Sequence, residues 1–310
     1  MSPSVHKPGR EIWVRLLLYP GHTLPTAAAP VAVGAGLAWR DGVFAPAPVL
    51  LGLLGSWLIH VGGVFADNLE LLRRHPQVRE HPELLAAVAE GSLSLRGLSA
   101  ATFACFLLAL LPAPWLVARG GWPVVWIGVA GIVASHGYAG RGITYAKRGL
   151  ADVVFLLMFG VVAVVATWWI QAAPIAPSVP PDVFLLGTPV GALVVCVLVI
   201  DDIRDRDHDR AKGWRTPTVR FGLRFARTEF TVLVVFAYLV PVVCWLAFGM
   251  SAWALCSFAT LPFALAVTRA VWRFDTTEAL LRMSPRMSKT AFAFACLFAI
   301  GIARSPASLA

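Results

Sequence analysis

Long stretches without any charged side chain are the feature that most limits how this sequence can fold. Seven of them contain no Asp, Glu, Lys or Arg, and they cover residues 16–39, 42–66, 97–118, 120–140, 153–181, 183–200 and 230–268. A helix needs about 20 apolar residues to cross a bilayer. Charged residues make up 14% of the chain, whereas soluble domains carry about 25%. The sequence therefore predicts an all-α, polytopic protein in a lipid bilayer.

These stretches predict nine transmembrane helices around a central cavity, all within a single domain that spans residues 1–310. The stretch 230–268 is long enough for two spans, with a break near Gly249. A shorter apolar segment at 290–302 adds the ninth span if Lys289 and Arg304 extend their charged groups to the membrane surface.

The placement of basic residues predicts the orientation of these helices. With nine spans and a cytoplasmic N-terminus, Arg40, Arg119 and Arg304 are the only ones of 26 Lys and Arg residues on the outer side. This asymmetry follows the positive-inside rule and accounts for the net charge of +9 without a nucleic-acid partner. We therefore predict a protein of the inner (cell) membrane whose N-terminus and active site face the cytoplasm.

The densest group of charges directly follows the sixth apolar stretch. Five of the 17 acidic residues lie within 201–209, and Asp201, Asp205 and Asp209 are spaced by four. A helix would place these three carboxylates on one face, where they repel one another unless a cation neutralises them. Because Mg²⁺ prefers oxygen ligands and often shares them with phosphates, the segment predicts a Mg²⁺–diphosphate site. A solvated mixed-charge helix is the alternative, since arginines alternate with the acids.

A second acidic group follows the second apolar stretch. Asp67 and Glu70 are three residues apart, and Arg74 follows Glu70 by four, so all three can share a helix face. In the nine-span topology both acidic groups lie on the same side of the membrane. We expect them to close around one diphosphate held by two or more Mg²⁺ ions. For Glu70, the alternative is a surface ion pair with Arg74.

The sequence supplies candidates for each part of such a site. The candidate catalytic carboxylates and metal ligands are Asp67, Glu70, Asp205 and Asp209, with Asp201 and Asp202 as further ligands or as groups that hydrogen-bond the ligands. The candidate basic residues for substrate binding are Arg141, Lys147, Arg148, Arg210 and Lys212. Asn68, Tyr138 and Tyr145 complete the candidate substrate-binding set. For each basic residue, contact with lipid headgroups is the alternative.

Two histidines and two tyrosines have both a structural and a functional interpretation. His60 and His136 lie within or near the cytoplasmic ends of spans, where a packed histidine and a proton acceptor are both compatible with the sequence. Tyr138 and Tyr145 flank a glycine-containing segment. That segment is either an interfacial loop anchored by its tyrosines or a lid over the acceptor or phosphate.

Three segments carry a resemblance to a known family. They are Asp201-Asp202-Ile203-Arg204-Asp205 through Asp209-Arg210-Ala211-Lys212-Gly213 with the following Arg215-Thr216 and Val219-Arg220-Phe221-Gly222, then Arg148-Gly149-Leu150-Ala151-Asp152, and Thr23-Leu24-Pro25. They resemble motifs of the UbiA superfamily of intramembrane prenyltransferases, and within it the 1,4-dihydroxy-2-naphthoate (menaquinone) branch. The nine predicted helices agree with that family's fold.

The chain also departs from the pattern of this family. Gly63, Asp67 and Glu70 stand where the first family motif has Asn, Asp and Asp. Asp201 and Asp202 stand where the second motif has two asparagines.

The resemblance implies a Mg²⁺-dependent transfer of an isoprenoid from a prenyl diphosphate to an aromatic acceptor, a naphthoate or a phenol. Two alternatives remain open. One is a terpene cyclase of the same superfamily, which would act on a prenyl diphosphate alone. The other is a non-enzymatic membrane transporter or scaffold.

Overall fold

The computed structural model describes residues 12–13, 16–17, 22–75, 82–138 and 144–307. Every regular element among these residues is helical, which confirms the all-α prediction. In chain order the helices are α1 (Thr23–Arg40), α2 (Pro46–Arg74), α3 (Pro82–Ala89), α4 (Leu95–Gly120), α5 (Trp122–Gly137), α6 (Ala151–Ala172), α7 (Pro181–Arg204), α8 (Arg206–Ala211), α9 (Pro217–Phe221), α10 (Leu223–Phe248), α11 (Ala252–Arg273) and α12 (Thr277–Ala303).

Seven helices in the described part of the chain are long and apolar enough to cross a bilayer. They are α2, α4, α6, α7, α10, α11 and α12. Two further helices occupy predicted spans. α5 is apolar but has only 16 residues. α1 has 18 residues but is not apolar enough to be counted with the seven helices above. The prediction of an integral membrane protein is confirmed, whereas the count of nine spans is not.

The break predicted near Gly249 is present, and the last helix is longer than predicted. Gly249 adopts a positive φ of 68°, a conformation that glycine reaches without strain, and it ends α10 there. The helix predicted at 290–302 begins much earlier, at Thr277, and runs for 27 residues. Lys289 therefore lies inside this helix, on an exposed face.

The central helix of the bundle is α7. Within its most apolar 18-residue window, 83% of the residues are buried. It packs against α6, α10 and α12, and its side chains from Val190 to Ile200 have almost no exposed surface. A helix that is apolar on all faces is expected to lie inside a bundle. The position of α7 matters because its last turn carries Asp201 and Asp202. These residues lie at the end of the bundle that the charge pattern predicts to be cytoplasmic.

Glycines bring α6 and α7 into backbone contact. A Cβ atom on Gly191 would lie 2.6 Å from the Cα of Gly160, and one on Gly187 would overlap the carbonyl oxygen of Gly160. Small residues at such contacts allow membrane helices to approach closely. Gly160 lies within Leu156–Val162, where α6 widens into a π-helix, a feature that is frequent at functional sites.

A buried ionic cluster joins α1, α6 and α7 at the end of the bundle that the charge pattern predicts to be outside. The Arg40 guanidinium pairs with Asp41 at 2.9 Å and with Asp182 at 2.6 Å. Trp168 Nε1 donates a hydrogen bond to Asp41 Oδ2 at 2.8 Å. Because Arg40 and Asp41 are almost inaccessible to solvent, this cluster holds the helix ends together.

The glycine contact predicts a large difference between two Gly→Ala substitutions. Gly187→Ala forces α6 and α7 apart and is expected to lower the free energy of unfolding by about 1–3 kcal/mol. Gly55→Ala is the matched control, because open space surrounds its Cβ position. Thermal unfolding of the detergent-solubilised variants measures the effect. Equal melting temperatures for the two variants would contradict the contact.

Candidate active site

The helices enclose a cavity of about 350 Å³. One end of it is polar, and the residues there are Asp67, Asn68, Tyr138, Tyr145, Asp201, Asp202, Asp205, Asp209, Lys212 and Trp214. These residues come from α2, α7, α8 and the loops beside them. The structure thus brings the two acidic segments together around one cavity, as the sequence predicts.

The second acidic segment is not one continuous helix. α7 ends at Arg204, and α8 begins at Arg206, because Asp205 leaves the helical conformation with φ −96° and ψ 7°. The backbone N–H of Asp205 still bonds the Asp201 carbonyl, and that of Asp209 bonds the Asp205 carbonyl, both at 2.8 Å. This preserved spacing keeps all three carboxylates on the cavity.

Two cations neutralise these carboxylates. The Arg204 guanidinium pairs with Asp201 at 2.5 Å and also with Asp205. Lys212 Nζ lies 3.0 Å from Asp209 Oδ1, and 5% or less of either side chain is exposed. The Lys212 ammonium also lies over the Trp214 ring, 4.1 Å from its centroid. Arg204 and Trp214 were not among the predicted site residues, although Arg204 stands between the predicted aspartates in the sequence.

The first acidic segment divides between two pockets. Asp67 and Asn68 line the main cavity, where the amide of Asn68 donates to the Val64 carbonyl at 2.8 Å. Glu70 instead lines a smaller adjoining pocket of about 60 Å³ and forms an ion pair with Arg74. The small pocket shares Asp67 with the main cavity. Glu70 therefore lies beside the polar end without facing its centre, and its role as a metal ligand stays a prediction.

The predicted basic residues do not all lie at the cavity. Lys212 lines both pockets, and Lys147 lines the smaller one. Arg148 and Arg210 are exposed, and Arg210 lies 3.5 Å from Asp207, outside both pockets. Arg141 lies outside the described residues.

The loop that carries Tyr138 and Tyr145 is tied to the second acidic segment. The N–H of Arg215 bonds the carbonyl of Lys147 at 3.0 Å, and the two tyrosine rings meet edge to face at 5.8 Å. Burial raises the pKa of Tyr138, and the carboxylates of Asp202 and Asp67 raise it further. Burial also raises the pKa of Tyr145, again with a contribution from Asp67. Both hydroxyls therefore remain protonated at neutral pH and can donate hydrogen bonds into the cavity.

Aromatic rings continue from the polar end into the apolar part of the cavity. Tyr138 contacts Phe155 at 5.6 Å, Phe155 contacts Phe159 at 5.3 Å, and Phe159 meets His60 at 5.7 Å. Phe159 lies on the π-helical stretch of α6. The cavity thus joins a carboxylate-rich end to an aromatic and aliphatic wall.

Oxygen ligands for a hard cation are present, but they are not preassembled. Among the residues that the structure describes, no three His, Cys, Asp or Glu side chains converge closely enough to hold a metal ion. Arg204 and Lys212 already occupy the carboxylates. The chemistry of these side chains fits Mg²⁺, which usually keeps several waters and takes further ligands from substrate phosphates.

Solved structures of other proteins share this architecture. An apo UbiA homologue from Aeropyrum pernix K1 matches with a TM-score of 0.66 at 19% identity, over 88% of this chain and 96% of that one. A UbiA homologue from Archaeoglobus fulgidus, bound to GPP and Mg²⁺, matches with a TM-score of 0.59 at 17% identity, over 92% of this chain and 98% of that one. The chain therefore has the fold of these UbiA homologues.

Sequence comparison gives the family. The model of the UbiA prenyltransferase family matches residues 27–292, and the chain belongs to this family of enzymes. A similar protein is the 1,4-dihydroxy-2-naphthoate octaprenyltransferase of Escherichia coli (strain K12), which is 27% identical over 292 residues, or 90% of this chain and 92% of that protein. The protein is therefore a prenyltransferase by family, which confirms the predicted enzyme class.

The two basic residues Lys212 and Arg210 are expected to differ in their effect on prenyl transfer. Lys212→Met removes the ammonium that faces the cavity and should lower kcat/KM for the prenyl donor by about 10²-fold, the usual effect of losing a positioned charge-stabilising group. Arg210→Met changes an exposed ion pair outside the cavity and should have a much smaller effect. Steady-state kinetics with purified protein tests this difference. Equal losses in both variants would show that the cavity does not define the donor site.

Proposed function

We propose that the protein transfers an isoprenoid group from a prenyl diphosphate to an aromatic acceptor, a dihydroxynaphthoate or a related phenol, in a Mg²⁺-dependent reaction. One observation carries this proposal: a single cavity has paired carboxylates and cations at one end and an aromatic hydrocarbon wall along the rest. A prenyl diphosphate has the same division between a polyanionic head and an apolar tail. The A. fulgidus homologue with the same fold was solved with GPP and Mg²⁺, which supports the choice of donor and metal.

In this proposal the carboxylates at the polar end hold the metal. Asp67, Asp205 and Asp209 are the ligands, with Asp201, Asp202 and Glu70 as further ligands or as groups that orient them. Bound Mg²⁺ would offset the charge of the diphosphate as the allylic C–O bond breaks. Asn68 lies beside Asp67 and supplies an amide for the diphosphate or the ligands.

The two internal ion pairs change partners when the donor binds. Before binding, Arg204 and Lys212 prevent repulsion among the carboxylates, since buried charge is costly without a partner. Bound Mg²⁺ would supply the positive charge that the carboxylates need, and Arg204 and Lys212 would then be placed to donate hydrogen bonds to phosphate oxygens. The hydroxyls of Tyr138 and Tyr145 add neutral donors at the same end. Lys147 reaches the diphosphate from the adjoining pocket.

The hydrocarbon part of the cavity protects the reactive intermediate. Ionisation leaves an allylic cation, which water would quench unless it is excluded. Phe155 and Phe159 line the cavity, and ring faces attract a cation by their quadrupole. The bundle thus supplies both dryness and weak electrostatic stabilisation beside the point of ionisation.

The acceptor is proposed from the relative in E. coli, whose name gives 1,4-dihydroxy-2-naphthoate as its substrate. A second outcome, cyclisation of the prenyl chain without an acceptor, uses the same ionisation step. Product identity separates the two, because cyclisation gives a hydrocarbon or a terpene alcohol.

We place the polar end of the cavity on the cytoplasmic side of the inner (cell) membrane, because the basic residues of the sequence concentrate on that side in the predicted topology. In a variant without the five native cysteines, Asp207→Cys should react with an impermeant thiol reagent only after cell lysis. Ile175→Cys, in the exposed connection between α6 and α7, should react in intact cells. Labelling of Asp207→Cys in intact cells would reverse the orientation.

Purified protein supplied with prenyl diphosphates of several chain lengths, with and without dihydroxynaphthoate, tests the proposed reaction. We expect mass spectrometry to detect a prenylated naphthalene product and one diphosphate released per product. Products that form equally well without the acceptor would identify a cyclase instead.

The metal is tested in the same assay. Excess EDTA should abolish turnover, and added Mg²⁺ should restore it. Glu70→Gln keeps the size of the side chain but removes its charge, so it should raise the Mg²⁺ concentration needed for half-maximal activity. An unchanged Mg²⁺ dependence would mean that Glu70 serves only its ion pair with Arg74.

A further inference from the structure

At least two polar side chains of the cavity wall, His22 and His60, have no role in the reaction as described so far. His60 of α2 lines the cavity, and its Nε2 atom is buried without a hydrogen-bond partner among the residues that the structure describes. Its ring meets Phe159 edge to face at 5.7 Å. An ionisable side chain at membrane depth that faces a cavity is a candidate functional residue.

Neighbouring hydroxyls along the cavity are already satisfied. Ser135 Oγ donates to the carbonyl of Ile59 at 2.6 Å, and Thr167 Oγ1 donates to the carbonyl of Ala163 at 2.8 Å. These side chains therefore offer the cavity little beyond hydrocarbon. His60 differs from them, because its Nε2 atom lacks such a partner among the described residues. Burying an unpaired polar nitrogen in an apolar site costs free energy.

The position of His60 indicates what its partner is. It precedes Asp67 by seven residues, which is two helical turns, so both lie on the cavity face about 10 Å apart along α2. The diphosphate occupies the Asp67 end in the proposed reaction. The prenyl tail has no polar atom for an imidazole, whereas a phenolic acceptor has a hydroxyl.

We propose that His60 binds the hydroxyl group of the aromatic acceptor and takes its proton during prenyl transfer. This inference rests on the proposed function and adds the residue that orients the second substrate. It also gives the buried Nε2 atom of His60 a hydrogen-bond partner, the hydroxyl of the acceptor.

The proton transfer fits the electron flow of the reaction. The diphosphate leaves with the electron pair of the allylic C–O bond, and a ring carbon of the acceptor supplies the pair for the new C–C bond. The hydroxyl proton moves to the His60 imidazole as that oxygen becomes a carbonyl. It returns to the oxygen when the ring carbon that formed the new bond loses its former substituent, either as CO₂ from a carboxylate or as a proton that the released diphosphate accepts.

Two substitutions at His60 separate binding from proton transfer. His60→Leu should raise the KM for dihydroxynaphthoate and lower kcat by about 10²-fold, as loss of a general base does. His60→Gln can still hydrogen-bond the hydroxyl but cannot take up its proton, so KM should partly recover while kcat stays low. The KM for the prenyl diphosphate should not change in either variant.

An inhibitor tests whether the hydroxyl is the group that His60 contacts. A naphthoate without hydroxyl groups should inhibit the wild type and His60→Leu with the same inhibition constant, because it lacks the contact. His136→Leu is the matched control: His136 lies on the exposed side of α5, 6.4 Å from Phe106, and does not line the cavity. It should retain wild-type kinetics and melting temperature.

The inference is overturned if His60→Leu and His60→Gln keep wild-type kinetics while the wild type prenylates the acceptor. It is also overturned if His60→Leu weakens the hydroxyl-free inhibitor as much as the substrate, since that result indicates a packing role. If His60→Leu does not fold, His60→Gln tests the inference alone. A fall in kcat that exceeds the rise in KM for dihydroxynaphthoate supports the inference, and wild-type values of both contradict it. A wild type that forms no prenylated acceptor refutes the proposed function itself, and this inference with it.

Discussion

An ionised carboxylate inside a membrane bundle is costly unless a cation lies beside it, and the ion pairs at both ends of the central helix reflect this cost. At the start of α7, Asp182 pairs with Arg40 of α1. At its last turn, Asp201 pairs with Arg204 and accepts a hydrogen bond from Ser284 of α12 at 2.7 Å. The apolar middle of α7 favours burial on every face, and the Arg40–Asp182 and Ser284–Asp201 contacts connect its two ends to α1 and α12.

The ion pairs at the two ends of α7 have the same chemistry but different surroundings. At the first end, the indole of Trp168 completes the hydrogen bonding of Asp41, and neither residue lines the cavity. At the second end, Asp201, Asp205 and Arg204 all line it. The same kind of ion pair therefore joins two helices at one end of α7 and lines the cavity at the other.

The sequence was sufficient to predict which segments meet, but not which side chains face inward. The spacing of Asp201, Asp205 and Asp209 predicted one shared surface, and the shared surface survives although the helix breaks at Asp205. Local spacing could not separate Lys212, which enters the cavity, from Arg210, which points away. That difference comes from the turn after α8, where the N–H of Trp214 bonds the Asp209 carbonyl and brings the ammonium of Lys212 over the indole.

The same limit applied to the histidines. His60 and His136 occupy similar positions in their apolar stretches, and only the packing of α2 and α5 places one on the cavity and the other on the outer surface. Periodicity gives the angle between residues on one helix, whereas the angle of the helix relative to its neighbours is a tertiary property.

The close approach of α6 and α7 connects the two halves of the cavity. Gly160 touches the backbone of α7 at Gly187 and Gly191, and it lies in the π-helical stretch that carries Phe159 toward the cavity. α7 continues from this contact to Asp201 at the polar end. Because α7 carries Asp201 and also contacts the stretch of α6 that bears Phe159, the α6–α7 contact sets the distance between the polar end and the aromatic wall of the cavity. A side chain added at Gly187 would change that distance, although Gly187 itself does not line the cavity.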